Sequence, residues 1–565
     1  MVFSAKKWLA AFSMVGAWAA LAAAPAAAQG TVRRHLVYFR DKTGTPYSVA
    51  QPQAFLSARA VARRSRQGIA VLPRDLPVNP AYVNQIRGLA GSPRVLYTSR
   101  WFNAAVISCD STTLTRITQL PTVRRASTLN RQLVAKPVPS APVQVPDVVA
   151  RGTQATRAQY GSAYRQNLQI GALAMHDAGF RGEGMHIAVF DAGFPGVNQI
   201  SALQPLFLQQ RLVSTRNFVD GGTSVYLRNP HGTNCLSTMA GNQTGFYIGT
   251  APRASYSLCI TEDTGSEHPV EEANWLAAAE FADSSGVDVI SSSLGYTTFD
   301  PPSVSYTYAD MNGRNAISTR AATMAARVGM MVVNAAGNEG DDPWHYISAP
   351  ADADSIMSVG AVDSLGSHAF FSSYGPTADG RIKPTLAAMG FAAAVLSANG
   401  SAFRGSGTSY ACPILAGMAA GFWQANPTLT AQQVIAALRA TASQANNPDN
   451  VLGYGIPNFL TAYNVLHPNA PLATTARQLN SGEPLGIFPN PNKDGPLTLV
   501  LPVVLRGHAL RLRVFDARGA VVVQQELPAG SSGEVPLRLG RLAKGVYTCE
   551  VSGNSTRRTV KFVQQ

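Results

Sequence analysis

The 565-residue chain is predicted to be α/β, with a mostly parallel sheet flanked by helices at its centre, a small α+β domain before it and a β-sandwich after it. Three observations carry this reading. Apolar runs ending in small or polar residues, at 185–193, 287–292 and 332–338, are separated by helix-length segments, as in a parallel sheet covered on both faces. Between 35 and 127, strand-like and helix-like segments alternate on a shorter scale. Beyond 484, short runs of alternating polarity between Gly-rich turns indicate antiparallel strands.

Taken in order, residues 1–28 have a signal-peptide layout: Lys6 and Lys7, an apolar stretch over 8–24, then Ala26-Ala27-Ala28. An uncleaved anchor is the alternative. No other run approaches the ~18–20 uninterrupted apolar residues that span a bilayer, so a mature form that does not span the membrane is expected. Residues 29–135 read as strand 35–39, helices 52–66 and 80–89, strands 95–97 and 104–107, helix 111–120 and strand 122–127, a small sandwich of sheet and helices. Prolines crowd 136–146, which makes 136–159 a semi-rigid linker. The main unit is 160–467, a second linker covers 468–483, and 484–565 is the sandwich.

The net charge of +14 is unevenly spread. Residues 30–150 hold 17 Lys/Arg against 4 Asp/Glu, whereas 151–470 hold 15 against 22. The central unit is therefore acidic, which argues against nucleic acid or another polyanion as partner. A basic leading domain and an acidic main domain would attract each other at low salt; alternatively, arginines such as Arg63, Arg64 and Arg66 only form a solvated helix face.

Three residues in the central unit have chemistry in view. Gly405-Ser406-Gly407-Thr408-Ser409 sets a serine between small residues at the start of an apolar helical run, where free backbone N–H groups point at whatever lies before the helix. Alone, this reads equally as a helix N-cap. Asp191 closes the apolar run 185–193, at the end of a strand where α/β sites lie. His231 stands at a turn leading into a helix at 236–240.

These segments resemble the Asp, His and Ser motifs of the subtilisin-like serine peptidases, the subtilases, in the Asp…His…Ser order of that group. Ser293-Leu294-Gly295 resembles the family's substrate-binding strand, and Ala335-Ala336-Gly337-Asn338 the strand that ends in its oxyanion asparagine. The turn Gly453-Tyr454-Gly455 also matches, so the likeness runs over about 160–467. It implies Ser409 as nucleophile, His231 as general base, Asp191 as its orienting carboxylate, and Asn338 with the Ser409 N–H as oxyanion donors. Ser293, Leu294 and Gly295 would line one wall of the substrate cleft and Ala335, Ala336 and Gly337 the other, with an extended peptide adding to the first by backbone pairing. The nature of the pocket floor, and with it P1 preference, is open at this stage.

The resemblance also implies polypeptide substrates, no cofactor for the chemistry, and a propeptide at 29–135 that inhibits its own enzyme; a separate binding domain is the alternative. Structural calcium is common in the family, and Asp341-Asp342 or Asp352 and Asp354 could contribute ligands. Cys109, Cys235, Cys259, Cys412 and Cys549 are too few and scattered for a disulfide framework and read as small buried hydrophobes. Cys235 and Cys412 follow His231 and Ser409 closely enough to lie beneath the site.

The tail, with Pro489-Asn490-Pro491, Asp516 to Gly519, Gly545-Val546-Tyr547 and Lys561, looks like the sorting domain of type IX secretion. That implies secretion machinery as a partner and export through the periplasm to the surface or medium. A substrate-binding sandwich is the alternative. For the whole, a secreted serine endopeptidase is expected, and a catalytically silent subtilase-fold surface binding protein is the contrasting class.

Overall fold

The computed structural model describes residues 31–130, 159–472 and 485–565 apart from 494–495, 503–504, 530–532, 538, 541 and 554–555. The expected signal segment lies outside them, as do nearly all of the first linker and most of the second.

The leading domain is a four-stranded antiparallel sheet of β1 (Arg33–Phe39), β2 (Arg94–Ser99), β3 (Ala104–Cys109) and β4 (Val123–Thr128), in the order β2-β3-β1-β4. Alternation along β1 and β3 decides what each face does. Val37, Phe39, Ala105 and Ile107 pack on the domain's own helices through Val83, Ile86 and Ile117. Leu36, Tyr38, Ala104 and Val106 turn the other way, onto Val270 and Ala273 of the central domain. The expected helix 52–66 is broken: a single turn at Pro52–Ala54 gives way to α1 (Ala58–Arg66), because the Ser57 side chain accepts from the Ala60 N–H and caps a fresh start. Helices α2 (Pro80–Arg87) and α3 (Ser111–Thr118) fall as expected.

The central sheet holds β5 (His186–Asp191), β6 (Leu212–Asn217), β7 (Ser255–Ile260), β8 (Val289–Ser292), β9 (Met331–Ala335), β10 (Met357–Val362) and β11 (Leu386–Met389). Every pairing is parallel, in the order β11-β10-β9-β8-β5-β7-β6. All six residues of β5 are buried, Ile187 and Val189 in one core and Ala188 and Phe190 in the other. The first core is covered by α4 (His231–Ala240) and α7 (Thr408–Ala425), the second by α5 (Val270–Ser285) and α6 (Ile317–Arg327).

Where the leading domain meets α5, the basic residues are not a solvated face. Arg63 and Arg64 are buried with Asp283 between them, Arg100 reaches the same carboxylate at 2.6 Å, and Asp75 holds Arg64 at 3.1 Å. Arg59 pairs with Asp288. Of the three arginines, only Arg66 stays largely in solvent, at 58% side-chain exposure.

The tail folds as two antiparallel sheets. Strands Gly486–Phe488, Leu497–Val500 and Glu534–Leu537 form one, and Leu510–Phe515, Val521–Leu527, Gly545–Gly553 and Thr556–Gln564 the other. Leu499, Leu512, Val514, Cys549, Val551 and Phe562 fill the space between them.

Candidate active site

The C-terminal edge of the parallel sheet gathers the candidate residues. Asp191 ends β5 fully buried; its Oδ1 accepts from the Ala192 N–H at 2.7 Å and stands 2.8 Å from His231 Nδ1, while Oδ2 has no partner. His231 is the first residue of α4, five positions earlier than the expected helix, with its N–H held by Asn229 Oδ1 at 2.9 Å. Gly232 makes the approach of α4 to β5 possible, since a Cβ there would come within 2.9 Å of Asp191 Cβ and 2.8 Å of the Phe194 ring. The imidazole keeps 30% of its side-chain surface exposed. Desolvation pushes its pKa down, but the buried Asp191 carboxylate outweighs this and holds it well above the ordinary histidine value.

Ser409 is 8% exposed in the first turn of α7. Pro413 lies inside that helix and has no N–H for the Ser409 carbonyl four residues back. Two side chains take over that acceptor: Ser293 Oγ at 2.8 Å and Cys235 Sγ at 3.3 Å. Cys235 also lies 3.8 Å and 4.0 Å from the two His231 ring nitrogens, so one thiol touches both the histidine and the serine residue. No direct hydrogen bond joins the Ser409 hydroxyl to the imidazole, a contact that commonly tightens only when substrate binds.

Asn338 follows β9 and is exposed. Its Oδ1 accepts from the Thr408 N–H at 2.8 Å and the Thr408 hydroxyl at 3.0 Å. Because a backbone N–H can only donate, this contact orients the amide with its NH₂ turned away from Thr408. Thr408 also binds the Gly337 carbonyl at 3.1 Å, which ties the Asn338 loop to the helix that carries Ser409. Nothing in the local sequence marks Thr408 for this role. The orphan carbonyl below Pro413, by contrast, could have been anticipated from spacing alone.

The two segments expected to wall the cleft follow neighbouring parallel strands, β8 and β9. Asn334 Nδ2 donates to the Leu294 carbonyl at 3.0 Å, Gly295 is exposed, and Ala335 and Ala336 are buried. The Ser293 hydroxyl turns inward and donates to the Ser409 carbonyl. Ser348 links the two segments. Its N–H donates to the Ala336 carbonyl at 3.2 Å, and the next residue, Ala349, exchanges backbone hydrogen bonds with Tyr296, so the segment spans wall to wall.

Of the candidate calcium ligands, Asp352 is fully buried, and its two oxygens accept from Thr319 Oγ1 and the Gly313 N–H. Asp341, Asp342 and Asp354 are exposed. Among the described residues, one group has metal-ligand proximity, Asp191, His231 and Cys235, whose ligand atoms lie within 4.8 Å of one another. Its histidine nitrogen facing Asp191 is engaged in the 2.8 Å contact, and burial raises the Cys235 thiol pKa, which disfavours the thiolate that a metal requires. All five cysteines are free and buried.

Comparison with known proteins gives the family. The model of the subtilase family matches residues 182–455, that of the peptidase S8 propeptide domain of Bacteroidota matches 34–141, and that of the secretion system C-terminal sorting domain matches 486–565. Subtilisin of Bacillus pumilus is 31% identical over 280 residues, covering 49% of this chain and 90% of that protein. Subtilisin NAT of Bacillus subtilis subsp. natto is 32% identical over 284 residues, 49% of this chain and 66% of that one, and Serine protease AprX of Bacillus subtilis (strain 168) is 29% identical over 308 residues, 49% and 65%. The chain belongs to the subtilase family of serine peptidases, and it carries that family's Bacteroidota-type propeptide domain and a C-terminal sorting domain. Among the described residues no helix is long and apolar enough to cross a membrane.

Proposed function

We propose that the protein is a secreted serine endopeptidase made as a prepro-enzyme, with signal peptide 1–28, inhibitory propeptide 29–135, peptidase domain 160–467 and sorting domain 484–565. The observation that carries the reading is the 2.8 Å contact between Asp191 Oδ1 and His231 Nδ1, with the Cys235 thiol touching both that ring and the carbonyl of Ser409 at a helix N-terminus. His231 takes the Ser409 proton as Oγ attacks the scissile carbonyl, then returns it to the leaving amine; Asp191 holds the tautomer and stabilises the imidazolium. The oxyanion of the tetrahedral intermediate is met by the Asn338 NH₂ and the Ser409 N–H, helped by the positive end of α7. Water then hydrolyses the acyl-enzyme. No cofactor enters these steps.

The substrate is an extended polypeptide lying along Ser293, Leu294 and Gly295, with its P1 side chain between that wall and Ala335, Ala336 and Gly337. The sorting domain directs export through the type IX machinery. The contrasting reading, a surface binding protein without turnover, loses support from the intact set of chemical groups. Treating the matured protein and Ser409→Ala with a fluorophosphonate separates the two: labelling of the wild type alone supports the peptidase, and labelling of neither supports the binder. Removal of 484–565 tests sorting, since retention in the periplasm is expected and normal secretion would refute it.

A further inference from the structure

Just before His231 the chain runs through 225–229, a segment laid across the turn that follows Asp191. The Phe194 N–H donates to the Val225 carbonyl at 2.9 Å, and Gly193 pairs with Arg228 in an isolated antiparallel bridge. The crossing is close, since a Cβ on Gly193 would collide with the Leu227 carbonyl and come within 2.9 Å of the Asn229 nitrogen. Asn229 Oδ1 then holds the His231 N–H. A shift of this segment therefore moves the imidazole relative to Asp191.

Arg228 sits in the middle of it with φ +69°, a left-handed backbone that a residue with a Cβ keeps only where its surroundings enforce it, as they often do at functional sites. The enforcement comes from two carboxylates. Nε and Nη2 grip Asp220 as a fork, at 2.8 Å to Oδ2 and 2.5 Å to Oδ1, and Nη1 reaches Asp263 Oδ1 at 3.0 Å. Both carboxylates are anchored in turn: the Asp220 N–H donates to Asn217 Oδ1 at the end of β6, and the Asp263 N–H to Glu271 Oε1 in the first turn of α5. Beside Asp263, Glu262 accepts from the hydroxyl of Tyr296, the residue after Gly295. With 22% of its side chain exposed, Arg228 is shielded well enough for a three-membered network to hold where a lone surface pair would contribute little.

Resting on the peptidase reading above, we propose that Arg228 is a positioning residue for the general base: it pins 225–229 between β6 and α5, and through that segment sets where the His231 imidazole stands relative to Asp191 and Ser409. It does so without touching substrate. Two ties from opposite sides leave the segment one resting place, and the forked guanidinium is what allows one side chain to hold both; an ammonium is a point charge and cannot span them in the same way.

The test measures kcat and KM of the matured protein on one peptide, with active sites counted by fluorophosphonate so that misfolded molecules drop out of the rate, and follows thermal unfolding alongside. Arg228→Gly removes both ties while suiting the left-handed backbone. It should lower kcat by about tenfold to a hundredfold, the scale of a small displacement of a catalytic group, with KM changed less than twofold. Arg228→Lys should recover part of the loss. Asp263→Asn, which cuts one tie and leaves the arginine in place, should lower kcat about threefold and keeps the inference open to refutation if Arg228→Gly does not fold. A lower Tm with kcat per active site unchanged in these variants makes Arg228 a loop staple and overturns the inference, as does a rise in KM alone. Both results leave the peptidase reading intact. Failure of the wild type to cut peptide together with failure to label overturns the peptidase reading and this inference with it.

Discussion

Two aspartates in this molecule are equally buried, and they sit in opposite surroundings. Asp283, on α5, has both oxygens occupied by the guanidinium groups of Arg63, Arg64 and Arg100 from the leading domain. Asp191, at the end of β5, has one oxygen on an imidazole and a backbone N–H and the other without a partner. Burial alone would raise the pKa of Asp283, but the surrounding cations override it and hold the carboxyl below its usual value. The first arrangement is saturated and suits a lasting contact between domains. The second leaves capacity for charge to appear and vanish on His231, as a reaction cycle requires. Burial of a carboxylate therefore says little about its role until its partners are counted.

The sharpest way to break the comparison is at the site. Ser409→Ala should abolish fluorophosphonate labelling and lower kcat by about 10⁶-fold, and Asp191→Asn by about 10⁴-fold, the scale seen where these groups act as a unit. A modest loss in either, measured on casein, would mean that the geometry is not used. Next, Asp283→Asn leaves three buried guanidiniums facing a neutral amide. Breaking such a cluster costs about 3–5 kcal/mol, so the propeptide should inhibit the matured enzyme at least a hundredfold less tightly, read as an inhibition constant. Unchanged inhibition would make the cluster decorative.

A smaller loss is expected at Asn338. Its replacement by Ala should cost about 10²–10³ in kcat with little change in KM, a magnitude measured for such a donor in a subtilisin. The smallest effect lies in pH dependence. His231 must be neutral to accept a proton, and its pKa is raised well above 6.5, so kcat/KM should fall as pH drops through that raised value. Asp191→Asn should move this acid limb downward. The Asp283 cluster behaves oppositely: with the folded-state pKa depressed, its contribution to docking persists above the ordinary value of 3.8 and fades only as pH falls through the depressed one. A propeptide that falls off near neutrality through titration of Asp283 would contradict this.

The chemical groups were legible because each sits in a short stretch whose pattern is local. Asp191 ends an apolar run, Ser409 opens an apolar helix, and Asn338 follows a strand. Their convergence was legible only through the ordered set. The fate of Arg63 and Arg64 was not, since a basic helix reads the same whether water or Asp283, 220 and 219 positions away, receives it. The burial of Asp352 was hidden for the same reason: an exposed acidic loop and a buried carboxylate bonded to Thr319 and Gly313 look alike in a sequence.

By itself the sequence determined the strands, most helices, the three-part organisation and the candidate reactive groups, because backbone preference and polarity period act over a turn or a few residues. Tertiary structure alone decided which surfaces those groups see. It tied Ser348 to the Ala336 carbonyl, set Thr408 against Asn338, and turned Arg63 and Arg64 inward. The physical reason is that burial and partner count, which set the energy of a charge or a hydroxyl, are properties of segments brought together from far apart, and no local pattern encodes them.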